Sequence, residues 1–134
     1  MTDQLINHVP GLTVGGVVVD GTQPMSPAEL RMVREYLGVS AEWLADRLGV
    51  ALRTVRRWEH GQSAVPDGVR EQVEELEVVA AGHVNAAVDA LGDAVEAVLT
   101  IPDADAGGFP AGWWRMVAAR VAQDVPGLHV RYDS

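Results

Sequence analysis

Residues 37–61 read LGVSAEWLADRLGVALRTVRRWEHG, and their serine and glycine punctuation sets how the chain folds locally. Ser40 stands as a cap before a helical run, Glu42 falls in its first turn, and Gly49 stops it. Trp43, Leu44 and Leu48 give that helix an apolar face. A second short helix follows almost at once, from about Ala51 to His60, and Gly61 ends it. Two short helices joined across Gly49 and Val50 have the layout of a helix-turn-helix. Small Ala45 lets the helices cross closely, Gly49 permits the positive φ of a tight turn, and Leu44, Leu48, Val55 and Trp58 supply the contacts that hold the crossing angle.

Upstream, Ser26, Pro27 and Glu29 form a capping box with proline at the first helical position. Leu30, Val33 and Leu37 then keep helical spacing up to Gly38. Downstream, a longer helical region begins near Pro66, where Asp67 and Glu71 suit the helix dipole. Val69, Val73, Leu76, Ala80, Val84, Ala87, Leu91, Val95 and Val98 recur at three- or four-residue intervals, so the reading is one apolar stripe to about Leu99, with Gly82 and Gly92 as points of kinking or division. IPDADAGGFPAG is a loop by composition, WWRMVAARVAQDV a last helix, and LHVRY a terminal strand. In residues 1–24, LTVGGVVVDGTQP allows a strand, a hairpin or an arm without fixed structure.

The expected fold class is mainly α. Residues 1–24 form an N-terminal arm, 25–79 a helix-turn-helix bundle, and 80–134 a helical dimerisation region with one or two short strands.

The chain has 134 residues and a formal net charge of -9, about one domain in length. Residues 25–65 hold six arginines against five acids, a net of +1, whereas 66–109 hold Arg70 against ten acids, a net of -9. Positive charge is concentrated at Arg53, Arg56 and Arg57, and the acidity belongs to the long helix that follows. All ten basic residues are arginine. Absence of cysteine excludes disulfides and thiolate metal sites and suits a cytoplasmic protein. The N-terminus lacks the basic and long apolar runs of a signal peptide or spanning helix.

His8, His60, His83 and His129 have no close ligand spacing, and DADAGG places Trp114 where a calcium loop requires its final Glu. The acids of the long helix have no nucleophile near them in sequence. No cofactor, metal or enzymatic activity is expected. Trp113 and Trp114, at helical spacing with Met116, Val117 and Val121, read as a core or a subunit contact.

The pattern in residues 37–61 resembles the Cro/repressor-like, or Xre, family, whose hallmark LGxxxxxLAxxLGVxxxTVxxWExG it matches. That resemblance implies a helix from Ala51 lying in the major groove of DNA, with Ala51, Leu52, Arg53, Arg56 and Arg57 at its contact positions. Ala41 stands where the family often has a phosphate-clamping Gln, which leaves Ser40 and the helix amides to hold that phosphate. Leu52 stands where a polar base reader is common, which implies contact with a thymine methyl or none. Arg53 is the leading base reader, because guanidinium bonds guanine in a bidentate fork worth about 1–3 kcal/mol of discrimination. Arg56 and Arg57 divide between bases and phosphates, and Gln62, Ser63 and Arg70 lie near the flanking backbone. The family position of Arg34 implies a structural ion pair with Glu59.

The layout as a whole resembles small two-part regulators of the YdiL and anti-CRISPR-associated type, which implies an autorepressor of a short operon. The expected partners are a palindromic double-stranded operator and a second copy of the chain, with no membrane. Val84, Val88, Leu91, Val95, Trp113, Trp114, Val117 and Val121 are the expected dimer contacts. An alternative is an antitoxin-like module whose acidic helix binds another protein.

Overall fold

In the computed structural model, residues 10–12, 15–16 and 24–133 are described. The Val17–Val19 part of the N-terminal run lies outside them. Among the described residues five helices and two short strands follow one another: α1 (Pro27–Tyr36), α2 (Ala41–Leu48), α3 (Leu52–Glu59), α4 (Asp67–Leu91), β1 (Val98–Ile101), α5 (Ala111–Asp124) and β2 (His129–Tyr132). The molecule is mainly helical, as the periodicities indicate.

Local chemistry accounts for the helix ends. At α1 the capping box closes reciprocally: the Glu29 amide donates to Ser26 Oγ and the Ser26 amide to Glu29 Oε1, both at 3.0 Å. The Ser26 amide, followed by the Arg70 charge, holds the Glu29 carboxyl below its ordinary range, although partial burial opposes this. Ser40 Oγ accepts from the Trp43 amide at 3.0 Å to start α2, and Gly49, at φ +72°, ends it. α3 begins without a side-chain cap, because its cap position is Ala51.

α4 is shorter than the apolar stripe suggests. Gly92 leaves the helical region at φ +50° and ψ -129°, so the helix ends at Leu91. Val98 then enters a strand, and Val95 between them is fully exposed. Apolar spacing alone did not distinguish a further helical turn from a strand. The run VLTI, with three β-branched residues in four, favours the strand once glycine has broken the helix. β1 pairs in parallel with β2, Val98 beside His129 and Ile101 beside Tyr132. α5 forms the crossover between them, as parallel pairing requires.

One set of packed side chains runs from Met25 in front of α1 to Val121 in α5. α4 contributes Val69, Val73, Leu76, Ala80 and Val84, and α5 contributes Trp113, Met116, Val117 and Val121. Segments 25–79 and 80–134 therefore share a core. Most of the expected dimer contacts fall against this core. Val84, Trp113, Val117 and Val121 are buried within the chain, and Val88, Leu91 and Trp114 are half-buried against the same core. Because α5 folds back along α4, the stripe is consumed internally; Val95 alone of the eight stands free of it.

An aromatic cluster joins α2 to α5. Phe109 stacks on Trp113 with centroids 4.2 Å apart, and lies 5.8 Å from Trp43. His83 stacks on Trp114, and its Nδ1 accepts the Trp113 indole N–H at 3.0 Å. An indole only donates, so this bond places the imidazole lone pair on Nδ1.

Candidate nucleic-acid interface

The candidate surface is built on α3. Val55 is fully buried and Trp58 nearly so, which fixes the inner face of this two-turn helix. Arg53, Arg56 and Arg57, at spacings of three and four, fall together on the outer face. All three are exposed, and among the described residues their guanidinium groups form no hydrogen bond or ion pair. Leu52 is half-buried beside them and Ala51 is exposed at the cap.

Glu59, the one acid of α3, does not offset those charges, because it is already paired. Arg34 Nε donates to Glu59 Oε2 at 2.7 Å and Arg34 Nη2 to Oε1 at 3.0 Å, a bidentate fork. Arg34 Nη1 donates to the Val39 carbonyl at 3.1 Å. Glu59 hydrogen bonding raises the Arg34 pKa above its ordinary value against the cost of burial. The fork ties α1 to the end of α3, while its third bond holds the turn into α2. α3 thus presents positive charge alone to solvent.

Ser40 lies at the exposed start of α2, with its hydroxyl occupied as the cap. Gln62 and Ser63 are exposed just beyond α3, and their amides bond back to the Arg57 carbonyl at 2.9 and 3.4 Å. Arg70 is partly tied down elsewhere, 3.5 Å from Glu29.

Sequence reasoning missed what supports α2 from behind. The Arg47 guanidinium lies over both Trp43 and Phe109, 5.7 and 5.8 Å from their ring centroids. Beside this stack, the turn at Gly38 meets α5 at Gly112 backbone to backbone. A Cβ added at either glycine would collide with the carbonyl oxygen of the other. The local sequences LGV around Gly38 and AGW around Gly112 gave no sign that these two glycines, far apart in sequence, touch.

Among the described residues no helix is long and apolar enough to cross a membrane. No relative was found among curated proteins. The Aca2/YdiL-like family model matches residues 25–103, which takes in α1 to α4 and β1. The chain therefore belongs to the Aca2/YdiL-like family.

Proposed function

We propose that this chain is a sequence-specific DNA-binding transcriptional regulator, a homodimeric autorepressor that reads an inverted repeat in the major groove. In this reading α2 and α3 are the helix-turn-helix, α3 enters the groove, and the amides and Ser40 at the start of α2 rest on a phosphate. Arg53 reads a base edge, and Arg56 and Arg57 divide between bases and backbone. Gln62 and Ser63 face the flanking strand.

The observation that carries the reading is the set of three exposed guanidinium groups, without partners among the described residues, on one face of a helix whose opposite face is buried. Isolated cations of this kind on an acidic protein gain most from a polyanion, and arginine suits bidentate recognition of guanine. Membership of a family of regulator type supports it further. Repression follows from size, since a small reader on an operator occludes it without needing further parts.

The test is binding to duplex DNA from the gene's own upstream region across a range of salt. Wild type is expected to prefer one palindromic fragment over random duplex, with affinity falling steeply as salt rises. Arg53→Ala is expected to lose about 1–3 kcal/mol and to relax discrimination at one position in each half-site. A wild type that binds every duplex alike at moderate salt would remove the basis for sequence recognition.

A further inference from the structure

His60 extends the cationic face of α3. At helical pitch, positions 53, 56, 57 and 60 fall within an arc of about 100°, with Val55 and Trp58 opposite. His60 caps the helix just after Glu59, at φ -97° and ψ 3°, and is exposed. Its ring is anchored, because Nδ1 lies 2.6 Å from the Arg56 carbonyl oxygen. A carbonyl only accepts, so Nδ1 carries the hydrogen, and the neutral imidazole keeps its lone pair on Nε2. Nε2 has no hydrogen-bond partner among the described residues.

Position decides what Nε2 can meet. Helical rise sets His60 about 10 Å beyond Arg53 along α3. The major groove is about 12 Å wide, so with Arg53 at a base edge His60 stands at the groove wall, among phosphates. A neutral imidazole turns a lone pair toward phosphate oxygens that offer only lone pairs themselves. A proton taken from water at Nε2 makes that nitrogen a donor and the ring a cation, which phosphate binds and the C-terminal carbonyls of α3 favour.

The charged surroundings leave that cation available. On α3 itself stand Arg56, Arg57 and Glu59, and Glu59 is held in the Arg34 fork from α1. α1 also brings Glu29, near the end where Pro27 lies beside Gly61, and Glu29 is bonded to the Ser26 amide and to Arg70 at the head of α4. Glu42, Asp46 and Arg47 belong to α2, which joins α3 at its other end through Gly49 and Val50. The acids at the His60 end are thus each engaged with an arginine.

We propose that His60 is a proton-dependent phosphate contact: protonated, it donates from Nε2 to the DNA backbone as a fourth cation on the arginine face, so the regulator holds its operator more tightly as pH falls. This rests on the DNA reading above and adds a regulation of that site.

The experiment is binding of the full chain to the palindromic upstream duplex and to random duplex, from about pH 5.5 to about pH 8, a range that spans ordinary imidazole titration. Circular dichroism at each pH follows the fold. Wild type is expected to gain about fivefold to tenfold in affinity for the palindrome toward the acid end. Its salt dependence there should steepen by about 0.9 in log–log slope, one further phosphate contact. His60→Gln, neutral throughout, should lose that gain, and the difference from wild type removes whatever the other histidines add. His60→Arg should keep the tighter affinity across the range. A wild type that prefers the palindrome but changes with pH in parallel with His60→Gln overturns the proposal and leaves the DNA reading standing. So does a salt slope that is the same at both ends of the range. A wild type with no preference for the palindrome at any pH removes the DNA reading, and this contact with it.

Discussion

Arg34 and Glu59 show how much one pair of side chains can fix. The Glu59 side chain is only 5% exposed, and the arginine spends three donors on three acceptor oxygens, two of Glu59 and one of Val39. Losing one partner would leave an unpaired charge in a place water hardly reaches. Arg34→Ala is expected to cost about 3 kcal/mol. Replacing both by apolar residues, Arg34→Met with Glu59→Leu, is expected to cost clearly less, since desolvation of two charges is also removed. Chemical denaturation of the three proteins checks the order; a double variant as unstable as the single would show that the hydrogen bond to Val39 carries the effect. Arg53, Arg56 and Arg57 behave oppositely at this scale. Nothing in the fold holds them, so their replacement by alanine should leave stability nearly unchanged while altering what α3 can bind.

Between elements, the contact of the α1–α2 turn with the start of α5 is decided by the absence of side chains. Gly38 is at φ +73°, and Gly112 lies against its carbonyl. Gly112→Ala adds one methyl group in an ordinary helical position, so its cost comes from the collision alone and is expected at about 1–3 kcal/mol. Gly38→Ala adds strain from its left-handed conformation and should cost more. Thermal melts of both variants measure the difference, and equal melting temperatures would place the strain wholly in the interhelix contact. Helix starts and stops were legible in sequence wherever a cap or a glycine marked them, at Ser26, Ser40, Gly49 and Gly61. The end of α4 was less so, because apolar residues on both sides of Gly92 keep a spacing that suits helix and strand alike.

Across the whole molecule, one core runs from Met25 to Val121 and ties the charge-bearing segment to α5. A fragment comprising residues 25–79 would expose the face of Trp43 that now lies against Phe109 and would leave Gly38 without Gly112. It is expected to lose the cooperative thermal transition of the full chain, followed by circular dichroism at the helical band; a sharp two-state melt of the fragment would show that α1–α3 and the first turns of α4 suffice. The sequence by itself determined the helices, their caps, the segregation of positive from negative charge and the inward positions of Val55 and Trp58, because these depend on residues a few places apart. Tertiary structure alone decided that the apolar stripe of α4 packs against α5, that Gly38 meets Gly112, and that β1 and β2, far apart in sequence, pair in parallel. Those contacts join residues tens of positions apart. Periodicity shows that a face is apolar, and only the path of the chain selects what covers it.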